Sequence, residues 1–205
     1  MTDNASFLGE PPTDRAVAAT YRADVDSDGY VNNLTRLWAW RPDVATTFAH
    51  LRNGLLAASA LSAREVAVLV TATVATRADS YCALAWGTRL AALTRPDTAA
   101  GLLADGDLPE GLSEREAALA EWARLVARDP NGTTGADVER LREAGLQDRE
   151  IFEATTWVAL RMAFSTVNDA LGAEPDAQLA ANAPAAVRDA VAFGRPVHPT
   201  DSPAT

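Results

Sequence analysis

Lysine is missing from this 205-residue chain: all 18 basic residues are arginine, set against 28 acidic ones for a formal charge of -10. Without lysine there is no Schiff-base chemistry, no pyridoxal phosphate attachment and no P-loop. Histidine is scarce, with His50 and His198 only, so no metal site is expected. A single cysteine, Cys82, cannot close an intrachain disulfide and points to a reducing, cytoplasmic setting. Arginines scattered through an acidic chain do not supply the clustered cations that nucleic acid or an anionic membrane surface requires. No run approaches the ~20 uninterrupted apolar residues of a membrane span. The opening MTDNASFLGEPPTD has neither the basic start nor the apolar stretch of a secretory signal.

What the chain does have is apolar residues, 48% of the total, at helical spacing. Length and composition fit one globular domain. Residues 1–30 read as an irregular N-terminal arm with one short helix near Arg15–Tyr21, 31–194 as a single helical domain, and 195–205 as a flexible tail. Pro42 opens an amphipathic helix over 42–58. Ser62-Ala-Arg-Glu65 and Ser113-Glu-Arg-Glu116 are capping boxes that open helices reaching about Thr76 and Arg128. Asp79 caps a helix to about Ala92, and 137–145 is helical up to Gly145. Asp148 caps a long helix ending at Gly172, and 184–193 forms a last short one. No window alternates as a strand would. The fold is expected to be all-α. Leu61-Ser-Ala-Arg-Glu65 recurs as Leu112-Ser-Glu-Arg-Glu116, which reads either as two independent capping boxes or as a duplicated helical unit.

Steps of three and four place Asp79, Cys82, Trp86 and Arg89 on one helical stripe. The helix start favours a Cys82 thiolate, whereas Asp79 opposes a second negative charge beside it. A lone cysteine among Tyr81, Ala83 and Leu84 also reads simply as a small buried apolar residue, and Asp79 simply as a cap. Tyr81 reads as a surface or interface aromatic. Trp38, Trp40, Trp122 and Trp157 read as core, with pocket lining as the alternative. Arg161, inside an apolar helix, needs an anionic partner: a substrate carboxylate, Glu153 or Asp169. His50 reads as exposed or satisfied by a backbone carbonyl.

The segment LSAREVAVLVTATVATRADSYCALAWG resembles the core of the alkylhydroperoxidase D-like (AhpD-like), or carboxymuconolactone decarboxylase, family. NNLTRLWAWRPDVATTFAHLRNGLL upstream, and LSEREAALAEWARLVARDPNGTTGADVERLREAGLQDREIFEATTW with VNDALGAEP downstream, are similar to peroxidase-related members. The resemblance spans about residues 30 to 176 and implies an AhpD-like helical bundle assembled as a homo-oligomer: a dimer, trimer or hexamer. The family's redox motif is C-x-x-C-x-x-x-H, with a glutamate twelve positions before the first cysteine. Here the second cysteine falls on Cys82, the first on Asp79, the histidine on Trp86 and the glutamate on Ala67. Glu65 lies two residues earlier, in the capping box. Asn168 and Asp169 match an asparagine-containing stretch before Leu171-Gly172, as a helix-packing or interface feature.

With one sulfur and no histidine, resolving a sulfenic acid inside the chain is not expected. The resemblance instead implies an apolar pocket used for non-redox acid–base chemistry on a small or aromatic metabolite: decarboxylation, isomerisation or cyclisation. In that expectation Asp79 and Cys82 are the catalytic pair, Trp86, Tyr81, Trp38, Trp157 and Arg161 bind substrate, and no cofactor is needed. Two alternatives stand beside it. One is a one-cysteine alkyl hydroperoxide reductase using Cys82; the other is a non-catalytic binding or assembly protein whose pocket is filled by Trp86.

Overall fold

The computed structural model describes residues 4–104 and 106–199, and among these it holds eleven α-helices and no strand. They are α1 (Arg15–Asp28), α2 (Asn33–Trp38), α3 (Pro42–Ala57), α4 (Ala63–Thr76), α5 (Ser80–Leu93), α6 (Pro96–Leu103), α7 (Glu114–Arg128), α8 (Gly135–Glu143), α9 (Asp148–Ala170), α10 (Ala177–Asn182) and α11 (Ala185–Ala190), with a 3-10 turn at Pro130–Gly132. The central helix is α4. Every residue from Glu65 to Val74 on it is buried, because α5, α7 and α9 pack around its whole circumference. A helix apolar on all sides can only be a core helix. Its apolar surface is therefore covered within one chain, and it lends no support to an oligomer. In α9, Phe152 stays 72% exposed.

Both expected capping boxes are present. Ser62 accepts from Glu65 N–H and Ser113 from Glu116 N–H, while each glutamate takes the cap's own N–H. The two boxes are also tied to one another. Arg115 in α7 pairs with Glu65 of the first box, and Arg64 in α4 donates to Glu116 of the second at 2.9 Å. The recurring LSxRE motif thus builds a reciprocal strap between the N-termini of α4 and α7, with Arg115 reaching on to Glu150 of α9 at 2.6 Å.

Several boundaries differ from the sequence expectation. The arm is not irregular: α1 runs for 14 residues, capped by Asp14. Helices α2 and α3 are the helix pair that the resemblance implies for 32–56, whereas α6 and α10 are additional to the expectation, although Pro96 opens α6 as Pro42 opens α3. At α9 the cap is Gln147, whose N–H donates to Glu150 at 2.8 Å, and Asp148 is the first helical residue. The last helix spans only Ala185–Ala190. The described part of the tail is docked: Ser80 Oγ donates to Arg195 O at 2.8 Å and His198 N–H to Pro175 O at 2.8 Å. The rest of the expected flexible tail, 200–205, lies outside the described residues. Among those described, no helix is long and apolar enough to cross a membrane.

Candidate functional site

The link between α4 and α5 is three residues long, and each has a task. Ala78 sits in the left-handed region at φ 55°, which turns the chain back on itself. Its N–H bonds to Ala75 O, and the N–H of Asp79 reaches Val74 O at 3.0 Å. These two bonds close the end of α4 as a Schellman motif, with alanine where glycine is usual. Asp79 then begins the next helix, its Oδ1 accepting from Cys82 N–H at 2.9 Å. One residue therefore ends α4 and starts α5. The position of Cys82 in the first turn of α5 follows from that.

Opposite this corner runs α9. Its residues 161, 165 and 168 fall on one face at helical spacing, and all three point at the corner. Ser165 Oγ donates to Asp79 Oδ2 at 2.5 Å. Arg161 Nη1 donates to Cys82 Sγ at 3.2 Å, and Asn168 Nδ2 makes a longer 3.9 Å contact to the same sulfur. Asn168 is held in turn by Trp38, whose Nε1–H donates to its Oδ1 at 2.9 Å. The sulfur thus meets two N–H donors from α9, a guanidinium and an amide.

The charges are unusual for a buried site. Arg161 is only 7% exposed and forms no ion pair among the described residues. Its guanidinium lies against the rings of Trp86 and Phe164, at 5.3 and 5.2 Å from their centroids, and its Nε has no hydrogen-bond partner. Neither expected carboxylate serves it: Glu153 bonds Arg149, Ser59 and the Ala60 N–H. A buried guanidinium with an unpaired N–H costs free energy, so the nearest electron-rich atom, Cys82 Sγ, is its natural counterpart. Burial pushes the Cys82 thiol well above its ordinary range; Arg161 pulls it down, and Asp79 adds to the rise. Burial and Asp79 thus favour the protonated sulfur, and Arg161 favours the thiolate.

Of the expected site residues, Asp79, Cys82, Trp86 and Arg161 come together, and Trp38 joins them through Asn168. Asp79 is completely buried, with both oxygens occupied. Tyr81, expected at a surface or interface, is buried and turned elsewhere: its hydroxyl donates to Asp176, which also accepts from Asn33 N–H at 2.9 Å. Trp157 is a core residue, as is Trp122, whose Nε1–H donates to Thr155 at 3.0 Å. Ala67 is in the core, and His50 is exposed. Neither Asp79 nor Cys82 lines the cavities of about 280, 270 and 170 Å³ among the described residues. Sequence reasoning missed Ser165 and gave Asn168 only a helix-packing or interface role. The 161, 165, 168 spacing on α9 was the available signal for both. Among the described residues no three His, Cys, Asp or Glu side chains group as metal ligands would.

This helical arrangement is the AhpD-like fold. The chain superimposes on an uncharacterized peroxidase-related protein from Silicibacter sp. TM1040 with a TM-score of 0.76, at 22% identity over 85% of this chain and 94% of that one. An AhpD-core, peroxidase-related protein from Ralstonia eutropha JMP134 gives 0.72 at 23% identity, again over 85% and 94%. The debrominase Bmp8, as a cysteine-to-alanine variant in complex with 2,3,4-tribromopyrrole, gives 0.67 at 16% identity over 85% and 95%. No protein-family model and no curated protein matches the sequence.

Proposed function

We propose that the protein is a thiol-dependent reductase that works through Cys82 alone and takes an oxygen atom from a small organic hydroperoxide. The observation that carries this reading is the 3.2 Å contact to Cys82 Sγ from a buried guanidinium without a carboxylate partner among the described residues. A cation so placed stabilises the sulfur as its proton leaves, and then the alkoxide as the O–O bond breaks. The S–O bond forms, the thiol proton ends on the alcohol, and Cys82 becomes a sulfenic acid. A first external thiol converts it to a mixed disulfide with release of water, and a second frees Cys82 as the external disulfide. Resolution is external because the chain holds one sulfhydryl.

The acid–base expectation centred on Asp79 is supported less well, because both oxygens of that buried carboxylate are committed to Cys82 N–H and Ser165. A second reading uses the same thiol: an aryl halide and two external thiols give the arene, a disulfide and the hydrogen halide. The likeness to Bmp8 and an aromatic-walled cavity next to the site favour it. Exposed Leu51 and Leu56 on α3, with Phe152 on α9, support a homo-oligomer, which light scattering reads directly.

Cumene hydroperoxide with dithiothreitol is the first test. The wild-type protein is expected to consume peroxide and to form a dimedone-trappable sulfenate on Cys82; Cys82→Ser is expected to do neither. Arg161→Met should slow sulfenate formation by roughly 10- to 100-fold, the worth of a hydrogen bond to a charged group. Peroxide loss that is equal in wild type and Cys82→Ser would end the proposal.

A further inference from the structure

Beside the site lies a cavity of about 170 Å³ between α1, α2, α3 and α9. Three aromatic rings line it. Trp38 and Phe164 stack at 4.9 Å with planes 9° apart, and Phe48 closes on them at 5.9 and 5.7 Å. Leu34 and Ala45 continue the apolar wall, and the one charged lining residue is Arg52. Two of the rings connect the cavity to the thiol: Trp38 holds Asn168, and Phe164 carries the Arg161 guanidinium that donates to Cys82.

Arg52 is half-buried and forms no ion pair among the described residues. Burial, together with the positive charges of Arg161 and Arg89, holds its pKa below the usual guanidinium range, which places the three cations in one electrostatic neighbourhood. Arg89 lies over the opposite partner of Arg161, the Trp86 ring, at 5.2 Å. Several other arginines of this acidic protein pair with carboxylates: Arg36 with Glu10, Arg115 with Glu65 and Glu150, Arg142 with Glu139 and Asp148, Arg149 with Glu153. Here three gather without one, and the innermost keeps a buried N–H unsatisfied. Arg89 is exposed and Arg52 half-buried, but Arg161 is buried, and a buried cation is unfavourable unless an anion joins it.

We propose that this cavity binds a small aromatic anion, a one- or two-ring arene carrying a carboxylate or phenolate, with its ring among Trp38, Phe48 and Phe164 and its anionic oxygen facing Arg52, the Arg161 guanidinium lying behind the Phe164 ring. The apolar walls supply the affinity for the ring, and the unpaired guanidiniums select its charge. The inference rests on the thiol reading in treating this cavity as the place where substrate is held for Cys82. It narrows that substrate to an aryl hydroperoxide whose ring also carries the anionic group.

Calorimetric titration of the whole protein with 2-naphthoate and with its neutral counterpart 2-naphthamide tests it. Naphthoate is expected to bind at least about tenfold more tightly than the amide, since one charge-assisted contact is worth that much. Arg52→Met should remove that difference by weakening naphthoate alone, and Arg52→Lys should restore part of it. No peroxide is present in the titration, so binding is read apart from thiol chemistry. If the amide binds as tightly as the acid, or Arg52→Met leaves naphthoate affinity intact, or neither compound binds at millimolar concentration, the inference is wrong whatever the peroxide assay shows. If naphthoate binds as expected while Cys82 resists peroxide, the binding site stands and the hydroperoxide reading falls.

Discussion

Cys82 and Asp79 are bound to one another in a way that trades reactivity for position. The carboxylate fixes the first turn of α5 by taking the Cys82 N–H, yet its charge helps to keep the sulfur protonated. Asparagine caps a helix as well as aspartate does but carries no charge. Asp79→Asn is therefore expected to lower the thiol pKa and to speed alkylation of Cys82 by iodoacetamide at pH 8, with little change in stability. Asp79→Ala should instead cost about 1–2 kcal/mol, as the cap is lost and Ser165 is left without an acceptor. A slower alkylation in Asp79→Asn would mean that the carboxylate serves the sulfur as a base, and the acid–base expectation would regain its footing.

Among the helices, the strap between α4 and α7 combines two effects in each glutamate. Glu65 closes its own capping box and receives Arg115; Glu116 closes its box and receives Arg64. Burial alone would raise Glu65, but Arg115 and the Ser62 contacts hold it below the usual carboxylate range. Glu65→Ala loses a cap contact and a charge-assisted bond, about 2 kcal/mol together, or roughly 4–8 °C in Tm for a chain of this size. Because the two boxes share the α4–α7 contact, Glu65→Ala with Glu116→Ala is expected to be non-additive in a double-mutant cycle. Both boxes were legible from their S-x-x-E spacing. Their cross-pairing was not, because it depends on how α4 and α7 meet in space.

At the scale of the molecule, the tail clamps the corner that positions the site. Gly194 has φ 73°, and a Cβ there would stand 2.4 Å from Ala78 O and 2.9 Å from Ser80 N. Neither atom is a flexible side-chain end, so Gly194→Ala should unseat the tail, lower Tm and increase the alkylation rate of Cys82 relative to wild type. Acidity acts on stability through Asp169. Burial and the nearby Asp79 raise its pKa to about 7. The unfolded carboxylate releases its proton near pH 4, while the folded one keeps it to about 7, so its contribution to stability is full below about pH 4 and is lost as pH rises through 7. Asp169→Asn should flatten the decline in Tm between pH 4 and 7; an unchanged slope assigns the decline to other groups.

The sequence by itself determined the all-α class, the capping boxes, the cap at Asp79 and the single thiol, because each rests on spacing along one helix or on a plain count. It also marked Arg161 as needing an anionic partner. That no carboxylate serves it and that it meets the Cys82 sulfur instead emerged from the folded arrangement, since the contact joins residues 79 positions apart on α5 and α9. The short α6 and α10 escaped detection because neither is long enough to display a period. Arg52 and the aromatic cavity were invisible because the 42–58 pattern marks an amphipathic helix without saying what its face meets. Its value lies in the face it shares with Trp38 and Phe164, and side chains on three separate helices meet only when the chain has folded.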